Sequence, residues 1–322
     1  MNQKQNVIIT GGLGLIGSHL SDILVEKNYN VNIIDNQYRG KVEYLQYPDR
    51  VNLIKKDIIN LTKDDVIENI NMVFHVASKV LGIGYSAKNH QDMLFYNDEM
   101  TNKFFSYLDH LKNLKHLVVV SSSCVYDDNL KSTPEELGMS GQPEMANLGY
   151  GLAKRFLEQK SILWASQRNV KLTIVRPFNI YGERYTWAGE FSQGLPSIVK
   201  KTLDNQGEIE IWGTGAQRRN YIHALDCAKI MIDLANTEHK SEVFNIGIEK
   251  TISLKELAEL ICKLYNIKPQ FSFRHDMPEG RLVKSAEVAK LEKYLPNFDK
   301  NLISLEDGLL KMREWYGKTF KK

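Results

Sequence analysis

With 322 residues, 43% of them hydrophobic, the chain can bury a large core in one big domain or two intimate ones. A formal net charge of +3 excludes the strongly basic balance that nucleic acid or an anionic membrane surface selects. Only three cysteines occur, Cys124, Cys227 and Cys262, with neither a CxxC pair nor a zinc-type His/Cys spacing; this argues against a disulfide scaffold or metal module and points to a reducing compartment. Residues 1–6 are polar, and no apolar leader or run of membrane-spanning length follows, so a soluble, cytoplasmic protein is expected.

In chain order, an apolar run at 7–9 enters the cluster Gly11-Gly12-Leu13-Gly14-Leu15-Ile16-Gly17, and a helix pattern at 16–27 leaves it. Glycine permits a tight turn that brings backbone N–H groups against a pyrophosphate at a helix N-terminus. Both Gly12-x-Gly14-x-x-Gly17 and Gly11-x-x-Gly14-x-x-Gly17 fit, and the strand-to-helix setting is the one that the dinucleotide motif requires. A second apolar run at 31–34 ends in Asp35-Asn36. An acid there accepts hydrogen bonds from ribose hydroxyls and repels a 2′-phosphate, which favours NAD over NADP, with Arg39 as a residue that would suit the phosphate instead. A third strand at 51–54 leads to Asp57-Ile58, where the acid caps a turn or faces an adenine; a fourth at 72–76 leads from Val76 to the small Ala77-Ser78. Helices at 98–112 and 149–167 flank a fifth strand at 117–120, and a sixth lies at 172–175. The alternation predicts an α/β doubly wound parallel sheet, a Rossmann fold, over residues 1–180. Beyond a soft boundary, residues 181–322 read as a smaller α/β substrate-binding region, with strands at 208–212, 242–246 and 270–273. Ser253, with Glu256 in reciprocal position, caps a helix at 254–265.

Tyr150 and Lys154 stand four apart on a predicted helix and share one face. A neighbouring ammonium and a positive nicotinamide ring both favour phenolate, so this tyrosine suits the removal of a hydroxyl proton while hydride leaves the same carbon. Ser121-Ser122-Ser123-Cys124 follows the fifth strand and offers hydroxyls to the same sugar oxygen.

Glycine loop, strand-end serine and Tyr-x-x-x-Lys together resemble the extended short-chain dehydrogenase/reductase family, the NAD-dependent nucleotide-sugar epimerases and dehydratases. Further matching segments are Arg176-Pro177-Phe178-Asn179-Ile180-Tyr181-Gly182 and Arg219-Asn220-Tyr221-Ile222-His223. The resemblance implies Ser122, Tyr150 and Lys154 as catalytic residues. It implies an NAD site built from Gly11, Gly14, Leu15, Ile16, Gly17, Asp35, Asn36, Asp57, Ile58, Val76, Ala77, Ser78, Asn97, Tyr150, Lys154 and Pro177. Gly84, Ser123, Asn179, Arg184, Arg219 and Arg281 would hold the sugar nucleotide, the last two arginines near its diphosphate.

The residues after Ser122 narrow the reaction. Sugar dehydratases and related decarboxylases carry a glutamate in the position of Cys124, so dehydration is not expected. A cysteine there, with Gly82-Ile83-Gly84-Tyr85 and Asn97, resembles GDP-sugar enzymes such as GDP-mannose 3,5-epimerase and GDP-fucose synthase, in which the thiol exchanges protons beside a C4 carbonyl. The second acid/base of those enzymes is missing from its usual places. Thr186-Trp187-Ala188-Gly189 has alanine where the epimerase has lysine, and Arg184 replaces the synthase histidine. Cys124 is thus either catalytic or a small buried residue. Three functions follow: C4 oxidation of a nucleotide sugar, with GDP-linked manno-type hexoses or heptoses favoured, as a 4-dehydrogenase or 4-epimerase; 3,5-epimerisation through Cys124; or NAD sensing without catalysis. Tyr185, Trp187 and Trp212 are candidates to stack on base or sugar. The apolar positions Phe104, Phe105, Leu108, Phe156, Leu157, Ile162 and Trp164 suggest self-association of the two helices into a homodimer or homotetramer.

Overall fold

The computed structural model describes residues 4–185, 187, 194–204, 208–277 and 281–320. Runs of β-branched and aliphatic residues form seven strands: β1 (Asn6–Thr10), β2 (Asn30–Ile34), β3 (Val51–Ile54), β4 (Met72–His75), β5 (His116–Val120), β6 (Lys171–Pro177) and β7 (Ser241–Ile246). They pair in the order β3-β2-β1-β4-β5-β6-β7, all parallel. Central strands such as His116–Val120 are buried along their whole length, as strands covered on both faces must be. The strand order reverses between β1 and β4, where Thr10 is in register with both Ile34 and His75, and a crevice opens there beyond the carboxyl ends of the strands.

The longer helices are α1 (Leu15–Glu26), α2 (His90–Leu108), α3 (Leu148–Arg168), α4 (Gly194–Asp204), α5 (Ala224–Asn236), α6 (Leu254–Tyr265) and α7 (Leu305–Phe320). The α1 and α5 side chains share one core layer with Val7, Ile9, Phe74 and Val118. The α2 and α3 side chains share another with Ile8, Val73, Leu117 and Val119 on the opposite face. A third cluster joins α4, α6 and α7 around Trp187, Ile209 and Ile211. The expected cap of α6 is present as a reciprocal pair: the Glu256 amide donates to Ser253 Oγ at 3.1 Å, and the Ser253 amide to Glu256 Oε2 at 2.8 Å.

Two expectations are corrected. The strand expected at 242–246 belongs to the main sheet as its seventh member, because β7 pairs with β6 from Ser241↔Leu172 to Ile246↔Pro177. The first region therefore takes in chain from beyond residue 180. Of the apolar positions singled out on α2 and α3 as more than one face, part of which must pack on the sheet, Phe104, Phe105, Leu108, Leu157 and Trp164 are buried in the sheet-facing layer, and Ile162 packs against it. The side chains that stand out from these helices are Phe95 (60% exposed), Phe156 (43%) and Leu163 (63%).

Candidate active site

The glycine turn follows from steric demand. Gly11 has φ +69°, and a Cβ on it would fall 2.8 Å from the Ala77 backbone; one on Gly17 would fall 2.0 Å from the Gly11 carbonyl oxygen. The Gly14 amide donates to that same carbonyl at 3.1 Å, which closes the turn at the start of α1. The Gly11-Gly14-Gly17 spacing thus shapes the loop. Gly12 instead packs against Ile33 of β2.

A cavity of about 1200 Å³ extends from this turn across the strand ends to the C-terminal region. Its wall brings together Gly11, Gly14, Leu15, Ile16, Asp35, Asn36, Asp57, Ile58, Val76, Ala77, Ser78, Gly84, Ser122, Ser123, Cys124, Tyr150, Lys154, Pro177, Asn179, Arg184 and Arg219, all expected in one site. Three expected residues stand behind the wall instead. Gly17 supports the turn. Asn97 Oδ1 accepts from Ser78 Oγ at 3.0 Å and from the Lys79 amide at 2.9 Å, so it fixes the loop after β4. The Arg281 guanidinium donates to the Leu130 carbonyl, while its own carbonyl accepts from Arg219 at 2.6 Å.

At the NAD end, Asp35 ends β2 with its carboxylate held by the Leu13 amide (3.1 Å) and the Gln37 amide (2.7 Å). Burial raises its pKa against these hydrogen bonds. Asp57 both caps and links: Oδ1 accepts from the Ile59 amide at 3.0 Å, and Oδ2 from Asn36 and Tyr96, each at 2.6 Å. The Arg39 guanidinium lies 4.7 Å from the Tyr185 ring centroid and donates to the Val80 carbonyl. Arg184 donates to Asp22 at 2.6 Å.

At the chemical end, α3 carries Tyr150 and Lys154 along the carboxyl end of β5. The hydroxyls of Ser78 and Ser122 lie close enough to the Tyr150 hydroxyl to favour its phenolate, against burial. Lys154 Nζ donates to the Val120 carbonyl at 2.8 Å and lies 5.6 Å from the Tyr150 ring centroid. The expected electrostatics are corrected here: burial, with the Cys124 charge second, holds the phenol above its ordinary pKa, and burial brings Lys154 down to about 7. Desolvation outweighs the serine hydroxyls and the Arg39 charge, which act the other way.

Among the aromatic candidates, Tyr185 and Trp212 line the cavity, and Trp212 closes on Gly84, where a Cβ would fall 3.1 Å from the indole. Trp187 does not face a ligand: it is 1% exposed and stacks on Tyr316 at 5.3 Å in the third core cluster. Thr186, Ala188 and Gly189 lie outside the described residues.

Two wall residues were not foreseen. Lys284 Nζ lies 3.5 Å from the Cys124 sulfur and donates to Glu144 Oε2 at 2.9 Å, and all three side chains line the cavity. Lys284 reaches the site because its short strand, Val283–Lys284, pairs in parallel with Arg218–Arg219, which places it level with Arg219. Glu144 follows from a backbone contact, its amide donating to the Cys124 carbonyl at 3.2 Å. No sequence spacing marks either residue; both arrive by long-range pairing.

The chain is 28% identical over 325 residues to the UDP-N-acetyl-alpha-D-glucosaminuronate decarboxylase of Bacillus cytotoxicus, covering 97% of this chain and 98% of the relative. It is 25% identical over 264 residues to the GDP-mannose 3,5-epimerase of Arabidopsis thaliana, covering 81% and 69%. The solved UDP-N-acetylglucosamine 4-epimerase of Methanobrevibacter ruminantium, in complex with UDP-N-acetylmuramic acid, superposes with a TM-score of 0.85 at 25% identity, covering 99% of this chain and 100% of that one. Residues 7–247 match the model of the NAD dependent epimerase/dehydratase family.

Proposed function

The chain belongs to the NAD-dependent epimerase/dehydratase family, and from that premise we propose that its reaction starts with oxidation at C4 of a nucleotide sugar. The observation that carries this reading is that Ser122, Tyr150 and Lys154 border one cavity, with Tyr150 and Lys154 one turn apart on α3. Bound NAD supplies a hydride acceptor for the sugar carbon. The turn formed by Gly11 and Gly14 lines the cavity at the N-terminus of α1, where backbone N–H groups suit a pyrophosphate. Leu15, Ile16, Asn36, Ile58, Val76, Ala77 and Pro177 line the nucleotide path, with Asp35 facing the adenosine ribose. Asn97 serves from behind by holding Ser78. Ser122 orients the C4 hydroxyl, and Tyr150 takes its proton. Asn179, Arg219 and Ser123 hold the sugar nucleotide at the far end, and Arg184, paired with Asp22, reaches it from the side of α1. Arg281 supports Arg219 through its carbonyl.

The nucleotide favoured is guanosine diphosphate on a manno-configured hexose or heptose. Support comes from Cys124, from Gly84 and its neighbours at the wall, and from the likeness to a GDP-mannose 3,5-epimerase. The likeness to UDP-sugar enzymes makes uridine nucleotides the competing substrates. The test is a panel of GDP- and UDP-sugars with purified protein and NAD, followed at the absorbance of reduced nicotinamide. Stoichiometric accumulation marks a 4-dehydrogenase; a product inverted at C4 without accumulation marks a 4-epimerase. Absence of both, and of any change at C3 or C5, with NAD bound, refutes the reading.

Self-association through α2 and α3 is part of the proposal. Phe95 and Phe156 line one shallow surface groove, and Leu163 is exposed on the same helix as Phe156. A second copy of this face would cover them. Three unpaired cysteines suit a cytoplasmic setting; among the described residues no helix is long and apolar enough to cross a membrane.

A further inference from the structure

We propose that Glu210 selects the base of the substrate nucleotide, accepting guanine and rejecting uracil, with Lys201 beside it on the same base edge; this rests on the guanosine nucleotide favoured above. The strand Glu208–Trp212 alternates between two faces. Ile209 and Ile211 enter the third core cluster and are 1% and 2% exposed. Glu210 and Trp212 share the other face, and both border the cavity. Lys201 reaches the same wall from α4, which also contributes Leu195 and Ile198. This stretch of wall is built by the C-terminal region, whereas the glycine turn and Tyr150 belong to elements of the main sheet. With the sugar at Tyr150 and the diphosphate at Arg219, the base is the part of the substrate left to place. An indole, aliphatic side chains and a few polar groups suit a flat heterocycle.

The polar groups decide which heterocycle. Trp212 Nε1 donates to Glu210 Oε1 at 3.1 Å, and Lys201 Nζ stands 3.5 Å from that oxygen and 3.4 Å from the Glu210 carbonyl. Arg274 reaches Oε2 at 3.4 Å but is held more closely by Asp276, at 2.7 Å. The Trp212 hydrogen bond and then, against burial, the Lys201 and Arg274 charges lower the Glu210 pKa, so the group is a carboxylate. A carboxylate only accepts, and each of its oxygens can take more than one donor. The Lys201 and Glu210 side chains are 32% and 37% exposed, which leaves both open to a ligand. An ion pair at that exposure adds little to stability, so the fold alone gives a weak reason for it.

The pairing edge of guanine reads acceptor, donor, donor: O6, N1–H and the 2-amino group. An ammonium beside a carboxylate reads donor, acceptor, acceptor, which is its complement. Uracil reads acceptor, donor, acceptor. Its second carbonyl would face a carboxylate oxygen, so two acceptors would meet where guanine brings a donor. A site built to bond a substrate N–H discriminates against the analogue that lacks it, because its own polar group is then left unpaired.

Calorimetric titration of the NAD-loaded protein with GDP, UDP and IDP tests this, IDP being GDP without the 2-amino group. Wild type is expected to bind GDP about tenfold more tightly than either of the others, the order of discrimination that a two-bond contact to a base edge gives. Glu210→Met removes both acceptors at similar size. It should weaken GDP about tenfold, bring GDP and IDP to nearly equal affinity, and leave NAD affinity, the measure of its folding, unchanged. The wild-type series stands whether or not that variant folds. IDP binding as tightly as GDP, while GDP still outbinds UDP, overturns the role of Glu210 and leaves the guanosine reading in place. A gap between GDP and IDP that persists in NAD-binding Glu210→Met does the same. UDP binding as tightly as GDP, or neither binding, overturns the guanosine reading and the role of Glu210 with it.

Discussion

The Lys284 ammonium meets the Cys124 sulfur at 3.5 Å across 160 residues of chain. The meeting depends on the short pairing of Val283–Lys284 with Arg218–Arg219, which carries Lys284 to the wall beside Arg219. It also depends on Glu144, without which Lys284 would be a buried charge lacking a counter-ion.

Tyr150→Phe removes one oxygen from a ring packed against Met93 and Cys124. The fold should survive, since the packing stays and only the hydroxyl near Ser78 and Ser122 goes. C4 turnover should fall by about 10²–10⁴-fold, the usual worth of a positioned general base. Stopped-flow absorbance of reduced nicotinamide, with circular dichroism as the control for folding, checks both halves.

Asp35→Asn keeps the size of the side chain but removes its negative charge, leaving one acceptor for the two amides of Leu13 and Gln37. Loss of a charged acceptor for the ribose should weaken NAD by about tenfold, corresponding to roughly 1.4 kcal/mol. Loss of the repulsion toward a 2′-phosphate should strengthen NADP at the same time, with Arg39 nearby on the same wall. Titration of both cofactors by calorimetry should show their affinity ratio moving toward NADP; an unmoved ratio would remove Asp35 from cofactor choice.

Acid stability has two windows. Burial lowers His19 and His116 to about 3 from an ordinary 6.5, and the first is 3% and the second 5% exposed. The unfolded chain binds these protons first, so stability falls once the pH drops below about 6.5, by up to roughly 1.4 kcal/mol per pH unit for each group. Glu144, held at about 2 against an ordinary 4.5, adds a second loss between those values. Urea midpoints from pH 7 to pH 3 should decline with a slope that steepens below 4.5. Glu183, held at about 2 by His223 and His19, steepens the same window, so Glu144→Gln should start lower at pH 7, because Lys284 loses its counter-ion, and should lose only its share of the added steepening.

The main sheet was legible because its strands are short apolar runs separated by amphipathic helices. β1 to β6 fall where the pattern puts them, within a few residues at each end. The site residues that follow strands β1, β2, β4 and β5 were equally legible, since strand ends in such a sheet converge on one crevice. What failed had no local signature. β7 reads like any half-apolar strand, and nothing in 241–246 says which sheet it joins. Trp187 looks like a stacking residue until α7 covers it with Tyr316. Asn97 carries a polar group that could face ligand or loop, and only the fold turns it to Ser78. The phenol electrostatics went astray for a different reason: spacing on a helix reports which groups are neighbours but not how much water each has lost.

The last prediction concerns the support beneath the chemistry. Arg176 on β6 grips Glu158 on α3 through two bonds, Nε to Oε1 at 2.8 Å and Nη2 to Oε2 at 2.7 Å. Ser121, next to Ser122, donates to the same carboxylate at 2.5 Å, and Arg176 also bonds the Tyr126 hydroxyl at 2.9 Å. The side chains of the pair are 3% and 1% exposed. Glu158 lies one turn from Lys154 on α3, so this network sets the height of the helix over β5 and with it the reach of Tyr150 to Ser122. Removing one partner of a buried pair strands the other charge and costs about 3–5 kcal/mol. Glu158→Gln should therefore lower the urea midpoint sharply while leaving the slope of the transition unchanged. Glu158→Leu combined with Arg176→Met removes both charges and should recover much of the stability. If helix height is what the pair controls, C4 turnover in that double variant should stay well below wild type at equal folded fraction. Turnover recovering along with stability would show that the pair supports the fold alone.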